Sequence, residues 1–106
     1  MEFDIRMLWE ARELLSHYIK QTPVLPSLSV PGLWLKAENL QITGSFKIRT
    51  ALNQLLQLTR EQREKGIVTS SSGNFAGGVS YASSILGISA KIVMMESSNP
   101  AKVKKS

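Results

Sequence analysis

The run from Ile67 to Met95 admits few folds. Ile67-Val68-Thr69-Ser70-Ser71-Ser72 is short, β-branched and polar at its end, as a strand running out into a turn would be. Gly73-Asn74 makes a tight turn, and a helix is predicted from about Phe75 to Leu86, stopped by Gly87. Ala90-Lys91-Ile92-Val93-Met94-Met95 reads as a second strand. Strand, helix, strand in this rhythm calls for a right-handed crossover and a parallel sheet, so the fold class is α/β. The helix is rich in small residues: Ala76, Gly77, Gly78, Ser80, Ala82, Ser83 and Ser84. Two adjacent glycines weaken a helix by about 1 kcal/mol each, a cost that close packing or close ligand approach has to offset.

Upstream, near-helical spacing of Ile5, Leu8, Trp9, Ala11, Leu15, Tyr18 and Ile19 predicts a helix over about residues 2 to 19, with Asp4 as a cap. Pro23 and Pro26 stop helix formation and favour an extended edge strand through Val24 and Leu25. Pro31-Gly32 supplies the centre of a type II turn, and Leu33 to Glu38 alternates as a half-buried strand does, completing a hairpin. A helix from about Ser45 to Leu58 carries the stripe Ile48, Ala51, Leu52, Leu55 and Leu56. Thr59 with Gln62 reads as a capping box and Gly66 as the stop of a further short helix. Asn99-Pro100 is another helix start. With few strands and a helix only beginning there, residues 1–106 read as a single incomplete unit, the opening of something larger.

Composition narrows the chemistry. At 106 residues, 42% hydrophobic and 20% charged, the chain is that of one soluble globular domain at most. No apolar run is long enough to span a bilayer, and Met1-Glu2-Phe3-Asp4 lacks the apolar segment of a secretory signal. With no cysteine and His17 as the one histidine, a thiolate site, a zinc site or a catalytic triad is not expected. A cytoplasmic enzyme, or part of one, is the expectation. The net charge of +5 raises nucleic acid as a partner, but the basic residues are scattered apart from Lys102, Lys104 and Lys105, and no aromatics interleave with them. Neither nucleic acid nor membrane is expected as a partner.

Two stretches carry chemistry. Gln41-Ile42-Thr43-Gly44-Ser45-Phe46-Lys47-Ile48-Arg49 runs from a polar turn into a helix and places a lysine in its first turn. The free N–H groups there are electropositive, and Arg49 adds like-charge repulsion. A cation is disfavoured at such a place, whereas a neutral amine, the form that attacks carbonyls, is not. The second stretch, Ser70-Ser71-Ser72-Gly73-Asn74, lies where a strand end meets a helix start and would suit a carboxylate or phosphate. It has neither the Gly-Lys-Ser/Thr of a P-loop nor the dinucleotide spacing. Taken singly, an ordinary capped turn and a plain surface lysine remain open readings.

Taken together, Thr43-Gly44-Ser45-Phe46-Lys47-Ile48-Arg49 and Ser71-Ser72-Gly73-Asn74 resemble the pyridoxal-phosphate enzymes of the tryptophan-synthase β-like fold, fold type II. Within that fold the chain looks most like the branch holding threonine dehydratase, serine dehydratase and serine racemase. Thr22-Pro23-Val24 is similar to that branch's opening strand, Leu35 to Gln41 to the segment before its lysine, and Gly87 to Met94 to its next strand. The likeness runs in order through essentially all 106 residues.

The resemblance implies that Lys47 bonds covalently to the aldehyde of pyridoxal 5'-phosphate and shuttles protons at the substrate Cα. It places Phe46 beside the cofactor ring and Asn74 on the cofactor's 3′-oxygen. Ser71, Ser72, Gly73 and Asn74 fall on the loop that holds the carboxylate of a small amino-acid substrate, and Ser72 matches a second acid/base. The implied reaction is β-elimination from L-threonine or L-serine to a 2-oxo acid and ammonia, in an enzyme that is a homo-oligomer at full length. Residues 1 to about 65 would open the large domain and 66 to 106 the small one. Phe75 stands where the branch commonly has histidine, and the glycine-rich phosphate loop of such enzymes, which lies further along the chain, is absent here. An inactive portion of such an enzyme is thus expected. The alternatives are a serine racemase, another β-replacing enzyme, or a non-catalytic interaction module.

Overall fold

The computed structural model describes residues 2–95, so the helix start expected at Asn99 lies outside the described residues. Helix α1 (Ile5–Leu15) begins at Asp4, whose carboxylate accepts from the Arg6 N–H at 2.9 Å. It stops short of the predicted end at residue 19, for a tertiary reason. The carboxamide of buried Gln41 accepts from the Lys20 N–H at 3.0 Å and donates to the Lys20 carbonyl at 2.9 Å. A side chain thereby replaces helical partners and draws the chain away. The apolar stripe also departs from expectation: Leu15 is buried, but Ile5, Leu8 and Trp9 are 54–59% exposed.

Strands β1 (Val24–Pro26) and β2 (Trp34–Lys36) form the expected antiparallel hairpin, with Leu25 opposite Leu35. A one-turn 3-10 segment (Glu38–Leu40) follows, then α2 (Lys47–Leu56) and α3 (Arg60–Lys65). The capping box is present: Thr59 Oγ1 accepts from the Gln62 N–H at 3.1 Å, and Gln62 Oε1 from the Thr59 N–H at 2.9 Å. Strand β3 (Ile67–Ser70), helix α4 (Asn74–Leu86) and strand β4 (Ala90–Val93) make the crossover unit, β3 lying parallel to β4 with Ile67 opposite Ala90. Both strands are shorter than predicted. The Ser71 N–H makes the last ladder bond, to the Val93 carbonyl at 3.1 Å, and Gly73 then caps a helix that begins at Asn74.

The core lies between α2 and α4. Ile48, Ala51, Leu52 and Leu55 from the predicted stripe are buried against Val79 and Ala82, joined by Leu15 and Ile88. The glycine in the second turn of α4 explains how two helices come so close. A Cβ on Gly78 would sit 3.2 Å from the Lys47 carbonyl oxygen and 3.3 Å from both Cα and N of Ile48. All three are backbone atoms in the first turn of α2, with little freedom to give way.

This contact yields a graded prediction. For Gly78→Ala, the helix-propensity gain of about 1 kcal/mol roughly cancels the crowding, so stability stays within about 1 kcal/mol of wild type. Gly78→Val, which adds branched bulk against the same backbone, lowers stability by at least about 2 kcal/mol. Urea unfolding of the two variants beside wild type checks the order; equal stability for Val and Ala would refute the close approach.

Candidate active site

The approach to Lys47 is built from a turn that only certain residues permit. Gly44 has φ +80°, in the left-handed region that glycine tolerates, and its N–H donates to the Gln41 carbonyl at 2.9 Å. Ser45 is buried, and its Oγ accepts from the Lys47 N–H at 3.3 Å, satisfying one of the free donors of the helix start. The Thr43 hydroxyl is buried with no partner among the described residues. Phe46 takes the capping position of α2, which begins two residues after the expected Ser45, and Lys47 lies in its first turn as expected. Its Nζ lies 5.3 Å from the centroid of the Phe46 ring, which is 56% exposed. An amine and an open aromatic face thus stand side by side, while the next residue, Ile48, is wholly buried.

The serine-rich turn lies between the end of β3 and the start of α4. Ser71, Ser72 and Gly73 are half-buried and Asn74 is exposed. No side chain among the described residues caps α4, so the N–H groups of its first turn are free to meet an anion. Asn74 is four residues, about 6 Å of helix rise, before Gly78, the residue set against Lys47. The lysine and the turn therefore share one end of the α2–α4 pair. Phe75, which follows Asn74, is half-buried and packs against the core.

Sequence reasoning missed a polar hub behind this site. Glu38, with its side chain 14% exposed, accepts from Arg49 Nε at Oε1, and at Oε2 from Thr22 Oγ1 at 2.6 Å and Gln41 Nε2 at 3.4 Å. Lys36 Nζ donates to the Thr22 carbonyl at 2.5 Å. Thr22 and Gln41 are both buried. The reading of Arg49 as a repellent for Lys47 is corrected here: its guanidinium is paired with Glu38. The pair joins residues on either side of a turn, outside any helical or strand period, and that is why pattern alone does not reveal it. A cavity of about 390 Å³ opens on this hub, lined in part by Arg12, Lys20, Lys36 and Arg49, and includes none of Lys47, Ser71, Ser72 or Asn74.

Comparison with known proteins identifies the family and the fold. Residues 15–106 match the family model described as pyridoxal-phosphate dependent enzyme. The catabolic L-threonine dehydratase TdcB of Staphylococcus aureus (strain USA300) is 43% identical over 99 residues, covering 88% of this chain and 29% of the dehydratase. The chain thus spans under a third of that relative's length. Among solved structures, maize serine racemase superposes with a TM-score of 0.90 at 39% identity, over 96% of this chain and 32% of the racemase. The serine racemase of Dictyostelium discoideum gives 0.86 at 37% identity, over 95% and 35%. The α/β architecture with its parallel β3–β4 pair is that of the N-terminal region of these fold type II enzymes.

The hub has a measurable pH signature. The hydrogen bond from Arg49 holds the Glu38 carboxyl at about 2, below its ordinary 4.5, with burial opposing and Thr22 and Gln41 assisting. A carboxylate depressed on folding stabilises above its unfolded value and loses that contribution as pH falls through the folded one. The contribution is at most about 3 kcal/mol at neutral pH, less the screening that solvent exerts through Arg49, which is 36% exposed. The unfolding free-energy difference between wild type and Glu38→Gln is therefore expected to shrink as pH drops from 4.5 towards 2. Urea titrations across that range test it, and a pH-independent difference would contradict it.

Proposed function

Because the chain belongs to the pyridoxal-phosphate dependent enzyme family, we propose that it supplies the lysine-bearing wall of an enzyme that deaminates L-threonine or L-serine to a 2-oxo acid and ammonia. One observation carries this reading: the first turn of α2, with Lys47, is seated against α4 just behind the Ser71–Asn74 turn. Residues 1 to about 65 open the larger domain of that enzyme and 66 to 106 the smaller. A small amino acid is the partner, and a cysteine-free chain acting on a free metabolite suits the cytoplasm. The full-length enzyme is a homo-oligomer in this reading.

The residues present fit the aldehyde, the ring and the 3′-oxygen of the cofactor. Lys47 offers an amine for an aldehyde, and the exposed Phe46 ring gives a flat apolar surface beside it. Asn74, exposed at the first position of α4, offers a carboxamide donor for the cofactor's 3′-oxygen. When bound, pyridoxal phosphate supplies an electron sink for the pair left behind at Cα.

The chain's own residues do the rest. The free N–H groups at the start of α4, with the hydroxyls of Ser71 and Ser72, bind and orient the substrate carboxylate. That fixes the Cα–H towards Lys47, whose Nζ takes the proton as general base. The same Nζ returns a proton to the departing β-hydroxyl, which leaves as water. Ser72, on the opposite face, holds a proton for Cα. The enamine released then hydrolyses in solvent to the 2-oxo acid and ammonia. Racemisation is the second reading, favoured by the 0.90 TM-score to maize serine racemase: it needs only that Ser72 deliver its proton before the hydroxyl departs.

Incubation with pyridoxal phosphate followed by borohydride reduction and peptide mass analysis is expected to place the added mass on Lys47 ahead of Lys20, Lys36, Lys65 and Lys91. Label spread evenly over these lysines in the full-length enzyme would refute the assignment. Lys47→Ala should remove the preferential label and lower threonine or serine turnover in the full-length enzyme by at least about a hundredfold.

A further inference from the structure

We propose that Glu38 is the positioning residue for Lys47, locking the rotation of α2 through Arg49 and the turn ahead of it through Gln41. The inference rests on Lys47 being the cofactor lysine. Lys47, Ile48 and Arg49 are consecutive on α2, and each is bound to a different part of the molecule. Ile48 is wholly buried, and the Lys47 carbonyl lies on Gly78. These apolar and steric contacts set how deep the helix lies, but they are nondirectional.

The Arg49–Glu38 pair is different, because Arg49 Nε donates to one carboxylate oxygen, Oε1, in a charge-assisted hydrogen bond that is directional. Arg49 is about 200° around the helix from Lys47, so fixing one fixes the azimuth of the other. The second carboxylate oxygen holds Gln41, and Gln41 Oε1 accepts from the Ile42 N–H at 3.1 Å, at the head of the turn that leads to Lys47. Thr22 Oγ1 anchors the same oxygen at 2.6 Å, with Thr22 itself buried beside the hairpin. Glu38 thereby grips the lysine segment from both ends. Arg49 keeps its ionised partner throughout the physiological range, as the low Glu38 value requires.

A purely structural hub would alter stability alone, so the test reads the placement of the amine. Wild type, Glu38→Gln, Glu38→Asp, Arg49→Gln and Thr22→Val are incubated with pyridoxal phosphate, reduced with borohydride and digested. The share of label on Lys47 relative to Lys20 and Lys65 is then measured alongside urea stability. In Glu38→Gln and Arg49→Gln the Lys47 share is expected to fall at least about tenfold, with partial recovery in Glu38→Asp. Thr22→Val, which weakens the hub but spares the ion pair, should lose stability while keeping the Lys47 share. An undiminished share in folded Glu38→Gln, or a share that merely tracks stability across all variants, overturns the proposal. Should Glu38→Gln fail to fold, Arg49→Lys, which keeps the charge but not the Nε donor, carries the same expectation and the same refutation. A full-length wild-type enzyme with no preference for Lys47 would instead overturn the functional reading beneath it.

Discussion

Backbone meets backbone where Gly78 lies against the first turn of α2, and the rest of the fold is arranged around that approach. A helix bearing side chains at this point would stand off, and Ile48 and Leu52 could not be sealed from solvent as they are. The small residues of α4 make sense as one surface: Ala76, Gly77, Gly78, Val79, Ala82 and Ser83 are all buried. Other elements attach to this pair with modest burial. Helix α1 contributes Leu15 alone, while α3 and the hairpin strands contribute no buried residue.

Two kinds of force thus share the molecule. The α2–α4 seam is apolar and depends on exclusion of water. The side of α2 that faces the hairpin and the end of α1 is polar, with Glu38, Thr22 and Gln41 withdrawn from solvent and satisfied by one another, by Arg49 and by the Lys20 backbone. Burying such groups is tolerable only when their hydrogen bonds are made. Residues 48 and 49 of α2 belong to opposite regimes, and Lys47 precedes both.

What could be read from the chain beforehand follows from how local each signal is. The stripe on α2, the Thr59–Gln62 box and the stops at Gly66 and Gly87 depend on residues within a turn or two of each other, and all are present. The lysine at the start of α2 was legible for the same reason. The end of α1 was not, because Gln41, some twenty residues on, captures Lys20. Nor was the partner of Arg49, since nothing in the spacing of a carboxylate and a cation across a turn says they meet. The two glycines in α4 announced a close neighbour without naming it; only the fold shows that the neighbour is the lysine-bearing turn itself.

The ladder bond from the Ser71 N–H to Val93 has a consequence for recognition. Only Ser72 and Gly73 lie between that bond and the first helical residue of α4. Ordering a free residue costs about 1–2 kcal/mol of backbone entropy, and most loops that close on a ligand incur it several times over. Here the sheet has already taken that freedom away during folding. An anion arriving at this turn would meet donors whose directions are set in advance, so little loop-ordering entropy would be lost on binding.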